Sequence, residues 1–226
     1  MFVRTLIGIF AGISLTTSAQ AAIVNGDFSA VASLQGWSFL GNVTEQPDGI
    51  TDDRAILDTT GSTATAGAVN SALGINLATV TTTIAGAGKT VGAVSVLYQN
   101  FTVIGVGELS FDWNFLTDEV GGLGSQPDFS FYVLQNVNEL AQFSDTSAPG
   151  IGVFDRQTGF STETITGLSA GNYLLGFGVV SVNNINRPSA LLIDNVVLTD
   201  DTPTVPVPAT AALLALGMMG LRRRKS

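Results

Sequence analysis

The stretch Gly107-Glu108-Leu109-Ser110-Phe111-Asp112-Trp113-Asn114-Phe115 changes character at every residue from Glu108 onward. Leu109, Phe111, Trp113 and Phe115 fall on one side, and Ser110, Asp112 and Asn114 on the other. A period of two belongs to a strand with one face in a core; a helix would scatter the same four apolar side chains around its surface. "PDFSFYVLQ" repeats the pattern with Phe129, Phe131 and Val133. "VGAVSVLYQNFTV" and the near-continuous apolar run "SALLIDNVVLT" read as further strands, and "FSTETIT" alternates weakly. "GLSAGNYLLGFGVVSV" reads as a turn at Ala170-Gly171 followed by a long strand. About ten short strands separated by turn signals predict an all-β fold, an antiparallel, jelly-roll-like β-sandwich spanning residues 22–199. Residues Thr59 to Ala93 stand apart, being rich in Gly, Ala and Thr. There "INLATVTTTIAGAGKT" reads either as a strand and turn or as a helix of poor propensity.

The chain has no Cys and no His. This excludes disulfides, a Ser-His-Asp triad, a cysteine nucleophile and an ordinary zinc site. "AGAGKT" resembles a phosphate loop near Lys89, but Thr83 stands where that pattern requires its first glycine. Between Ile23 and Pro208 only Arg54, Lys89, Arg156 and Arg187 are basic, against all 18 acids, a formal charge of −14. Such a surface repels nucleic acid and anionic lipid and attracts divalent cations.

Both ends read as addresses. Arg4, an apolar run from Leu6 to Leu15 and then Ala19-Gln20-Ala21 fit a secretory signal peptide over residues 1–21, cut at the Ala19–Ala21 motif. The apolar run is too short for a lasting anchor. Residues 200–208 form a Pro/Thr linker. Beyond the motif Val205-Pro206-Val207-Pro208-Ala209, an apolar run continues to Leu221, ahead of Arg222, Arg223, Arg224 and Lys225. As a helix that run covers about 20 Å, against a bilayer core about 30 Å thick. Pro206 and Pro208 oppose its extension. The basic cluster would stop transfer on the cytoplasmic side. A segment that enters the inner membrane transiently and is then cut fits these features better than a permanent span.

The three-part layout of residues 205–226 resembles the PEP-CTERM sorting signal of exosortase-processed bacterial proteins, with Val207 where the usual motif has Glu. The resemblance implies a Gram-negative host whose envelope makes exopolysaccharide. It also implies a processing protease of exosortase type as partner, and delivery to the outer surface or extracellular matrix. The opening "NGDF", from Asn25 to Phe28, and Gly36-Trp37 are similar to those of exported β-sandwich domains, carbohydrate-binding jelly rolls among them. "LSFDWNFLTDE", "DFSFYVL" and "LLIDNVVL" are similar to stretches of the choice-of-anchor domains of such surface proteins. That implies a sandwich and no assigned activity.

The expected function is therefore a non-enzymatic envelope or matrix protein associated with exopolysaccharide. A carbohydrate-binding module with a defined glycan site, or a glycoside hydrolase, are the alternatives. Asp112, Asp118, Glu119 and Asp128 gather around one loop. They read as paired carboxylates for glycoside hydrolysis or as a solvated acidic loop. Structural calcium is the cofactor to consider, since it takes hard oxygen ligands. Its candidate ligands are Asp27 and Asp194, neighbours if the end strands pair, with Asp118, Glu119 and Asp128 as the alternative group. Asp194 lies inside an apolar strand, so it needs a partner, and a hydrogen bond to a nearby loop would also serve. For sugar stacking the aromatics are Trp37, Trp113, Tyr98, Tyr132 and Tyr173. Trp113 shares the stripe of Phe111 and Phe115 and is assigned to the core, leaving Tyr98 and Tyr132 to face solvent. No nucleic-acid partner is expected.

Overall fold

The structure is a computed structural model that describes residues 22–30, 34–46, 53–119, 127–183 and 186–201. In chain order the strands are β1 (Ser38–Leu40), β2 (Asn42–Gln46) and β3 (Arg54–Asp58), followed by helices α1 (Ala66–Leu73) and α2 (Leu77–Ile84). Then come β4 (Val91–Val103), β5 (Val106–Thr117), β6 (Phe129–Val133), β7 (Val137–Gln142), β8 (Ala148–Pro149), β9 (Arg156–Gln157), β10 (Ser161–Leu168), β11 (Gly171–Val182) and β12 (Ser189–Asp201). They form two antiparallel sheets. The first has the order β1-β4-β11-β6-β7; the second runs β2-β3-β12-β5-β9-β8, with β10 also on β5. The expected sandwich is present.

The stripe that defined the strand pattern lies between the sheets. Leu109, Phe111 and Phe115 are fully buried, with Trp113 packed at the edge of the same core. Phe111 meets Phe177 of the first sheet edge-on at 4.8 Å, and Phe28 meets Trp37 at 5.6 Å. The sequence around Phe177 is Gly-Phe-Gly for a steric reason. A Cβ on Gly176 would sit 2.7 Å from Leu73 of α1, and one on Gly178 would sit 2.3 Å from the Phe131 ring. Phe177 fills the inter-sheet core while its two neighbours leave room on the opposite face.

That opposite face is covered by the helices. Val69, Leu73, Leu77 and Val80 pack on Val94, Val96, Phe129, Phe131, Val133, Val180 and Val182. The Thr-rich segment that read as strand or helix is helical. Thr65 and Asn76 cap α1 and α2 through their side-chain oxygens, and Gly74 ends α1 with φ 67°. Caps and an apolar face under tertiary contact outweigh poor propensity in helices of this length.

Because both faces of β6 are covered, all five of its residues are buried. Phe129, Phe131 and Val133 lie under the helices, while Tyr132 points into the core beside Phe111 at 5.4 Å. Tyr132 is 8% exposed. The expectation that it faces solvent is corrected: alternation shows which side chains share a face, not that the other face is wet.

The signal peptide, the motif Val205 to Ala209, the apolar run and the basic cluster Arg222 to Lys225 lie outside the described residues. Among the described residues no helix is long and apolar enough to cross a membrane.

Candidate functional site

A concave feature lies beside the helical cover of the first sheet. A cleft of about 590 Å³ opens between α2 and the turn joining β6 to β7, within the range of about 300–1,000 Å³ typical of small-ligand sites. Helical periodicity puts Asn76, Thr79, Val80, Thr83 and Ile84 along one side of α2, all lining the cleft. Asn76 is fixed by its capping bond, its Oδ1 accepting from Thr79 N–H at 3.2 Å. The facing wall is Leu134-Gln135-Asn136, a tight turn in which Leu134 N–H donates to Asn136 O at 3.3 Å. Asn138 Nδ2 donates to the same carbonyl at 3.0 Å.

The floor is apolar. Leu73, Val80 and Val133 are buried, and Ile75, Ile84, Val137 and Leu174 are partly buried around them. The exposed rim is polar and almost uncharged: Asn76, Thr79, Thr83, Gln135 and Asn136. The side chains of Thr83, Gln135 and Asn136 make no hydrogen bond to another described residue. Glu139 is the single ionisable residue of the lining. Partial burial pushes its carboxyl above the usual range, the Asp145 charge adds to this, and a hydrogen bond with Gln142 opposes it. A ligand with apolar ring faces and a periphery of hydroxyls suits such a surface, because amides and hydroxyls can bond it without desolvating a charge.

The acids singled out in the sequence are distributed differently. Asp27 is exposed and turns back on its own loop, accepting from Ser29 Oγ at 2.9 Å and Ser29 N–H at 3.4 Å. These bonds hold its carboxyl below the usual range. Asp194 is 3% exposed, and its Oδ1 accepts from Asn195 N–H at 2.6 Å. The backbones around these two acids do meet, since Val196 N–H donates to Gly26 O at 2.9 Å. Among the described residues no group of three or more acids is arranged to hold a metal ion.

The four loop acids do not form one cluster, although Glu119 and Asp128 are both buried and feel each other's charge. Asp112 lies on the outer face of the second sheet, accepting from Thr162 Oγ1 and from Asn195 Nδ2 at 3.0 Å. Asp118 accepts from Asp155 N–H at 2.9 Å, and its own carbonyl takes a bond from Arg187. Asp128 is fully buried, accepting from Val182 N–H and Ser189 Oγ, each at 2.7 Å. Burial pushes its carboxyl up to about 7 against those hydrogen bonds, and the charge of Glu119, itself buried, adds to the rise.

The aromatics chosen from sequence build no platform. Trp37 and Tyr132 are buried, Tyr98 packs against the helix-side core, and Tyr173 stacks on Phe101 at 5.4 Å. Among the described residues the exposed rings are Phe39 and Phe160, each 48% exposed; Arg54 lies 5.0 Å from the centre of the Phe160 ring. Sequence reasoning passed over both rings and the cleft. The cap residues Thr65, Gly74 and Asn76 were the signal available for α1 and α2.

No protein-family model matches the chain, and no curated protein matches it. Among solved structures it is similar to TmCBM61 in complex with β-1,4-galactotriose, at 10% identity and a TM-score of 0.45, over 81% of this chain and 100% of that one. It is also similar to the K3 cleaved adhesin domain of Lys-gingipain from Porphyromonas gingivalis W83, at 13% identity and a TM-score of 0.40, over 80% of this chain and 100% of that one. A CBM4 structure matches at 10% identity and a TM-score of 0.34, over 75% and 97% of the respective chains.

Proposed function

We propose that this chain is an exported, non-enzymatic protein of a bacterial cell surface or matrix, whose sandwich binds exopolysaccharide in the cleft between α2 and the β6–β7 turn. The observation that carries this reading is the cleft's make-up, an apolar floor bordered by uncharged amides and hydroxyls. Sugar rings offer the complement, C–H faces and hydroxyl edges. Glycoside hydrolysis needs two carboxyl groups flanking the bond to be cut, and Glu139 stands alone in the lining. The routing belongs to the same proposal: residues 1–21 direct export, and residues 205–226 act as a PEP-CTERM-like signal cut by an exosortase-type protease. The charge pattern of the two ends supports it.

Titration of the host's exopolysaccharide into the protein from its surface fraction tests the binding. Replacing both Gln135 and Asn136 with Ala is expected to weaken binding about thirtyfold, from the loss of two hydrogen bonds worth about 1 kcal/mol each. Unchanged affinity in that variant would remove the cleft from the proposal.

A further inference from the structure

We infer that the glycan taken by this cleft carries protonated amines, as in a partly N-deacetylated amino-sugar chain, and that acidic sugars are excluded. The inference rests on the glycan-binding reading of the cleft. Its ground is where the charges sit. Glu139 lies two residues after Val137 on β7, so both point to the helix-covered side of the first sheet, and both line the cleft. Asp145 stands close behind, in the single helical turn Phe143–Asp145 that follows β7. Its carboxylate is fixed there by Gln142 N–H at 2.9 Å, and its charge reaches Glu139. No Lys or Arg lines the cleft. Arg156 is engaged over the Phe143 ring at 5.5 Å.

Glu139 is exposed in the lining and feels the like charge of Asp145, which lies outside it. An ammonium group placed beside Glu139 would relieve that repulsion, whereas a uronate would increase it. The remaining lining discriminates little by charge, so Glu139 is the group through which the cleft distinguishes cationic, neutral and anionic sugars. The formal charge of −14 over Ile23 to Pro208 acts in the same direction at longer range.

The test compares three oligosaccharide probes by calorimetry at pH 6: a fully N-acetylated chito-oligosaccharide, its partly deacetylated counterpart, and an oligogalacturonate of equal length. The deacetylated chain is expected to bind about tenfold or more tighter than the acetylated one, with no heat from the oligogalacturonate. Glu139→Gln should bring the two chito-oligosaccharides to equal affinity. Glu108→Gln, an exposed acid on β5 of the other sheet, should leave the preference intact. Equal binding of both chito-oligosaccharides to the unaltered protein, or a preference surviving Glu139→Gln, would overturn the amine inference while the glycan reading stands. Preference for oligogalacturonate would do the same. Failure of every probe and of the host polysaccharide to bind would overturn both.

Discussion

Replacing Asp128 with asparagine perturbs the point where the two sheets are tied at one end. Asp128 sits just before β6, with one carboxyl oxygen on Val182 N–H of the first sheet and the other on Ser189 Oγ of the second. Ser189 also lies 2.7 Å from Thr117 Oγ1 on β5, and its N–H donates to Thr59 Oγ1 at 2.9 Å. Burial lifts the folded-state pKa to about 7, whereas the unfolded chain titrates near about 3.9. A raised carboxyl pKa means the folded state favours the neutral acid. Its stabilising effect is therefore complete below about pH 4 and lost as pH climbs through about 7. Three pKa units at about 1.4 kcal/mol each give an upper limit of about 4 kcal/mol. Asparagine imitates the neutral acid: its carbonyl accepts from Val182 N–H and its amide donates to Ser189 Oγ. Urea unfolding followed by tryptophan fluorescence at several pH values between 4 and 8 should show stability falling with pH in the unaltered protein. The Asp128→Asn curve should be flatter by up to that amount and lie higher above pH 7. Glu139 contributes in the same direction and Asp27 in the opposite one, but both are common to the two proteins and cancel in the difference. Parallel curves would refute the reasoning, since the carboxyl would then titrate alike in the folded and unfolded chains.

Gly178→Ala drives a methyl group to 2.3 Å from the Phe131 ring and should cost about 1–3 kcal/mol in the same urea assay; a neutral result would mean that the helix-side layer is loosely packed. Asp194→Ala removes the acceptor that holds Asn195 N–H at a residue with φ 49° and should cost about 1–3 kcal/mol. Intact mass of the protein from the surface fraction should show loss of about the last 20 residues, near Pro206–Pro208; a chain ending at Ser226 and held in membranes would replace the sorting signal with a retained anchor.

The sandwich was legible because alternation is a direct consequence of strand geometry, and every strand read from the sequence is present within a few residues. Burial was less legible. Leu109, Phe111 and Phe115 face the core as expected, but the same alternation in β6 concealed a second apolar layer. A strand covered on both faces shows its neighbours' contacts only as a run without polar breaks, and "FSFYV" carries a Ser that disguises the run. The loop acids adjoin in the chain but face different partners in the fold. Asp128 faces inward to main-chain and hydroxyl donors, which chain order alone does not disclose. Asp194 was read more closely: an acid in an apolar strand needs a partner, and Asn195 N–H is one. The cleft was not legible at all, because it depends on where a helix of unpromising composition comes to rest.

That helix links fold to site. The outer face of the first sheet is apolar along β4, β6 and β11, so it cannot serve as a wet binding surface, and α1 and α2 cover it. On the second sheet two outward side chains of β5 are satisfied by their neighbours. Asp112 is bonded to Thr162 and Asn195, and Asn114 is bonded to Gln157 and Thr158 beneath the segment carrying Phe154. Neither face offers a set of open polar groups over an apolar floor. The margin of the helical cover does, because α2 ends its protection of the sheet where the β6–β7 turn rises beside it. Under the proposed function, binding specificity is carried by residues 76–84 and 134–139, which lie outside the stripe that sets the sandwich. Substitutions there can retune the ligand while the inter-sheet core, built from Phe28, Trp37, Phe111 and Phe177, stays as it is.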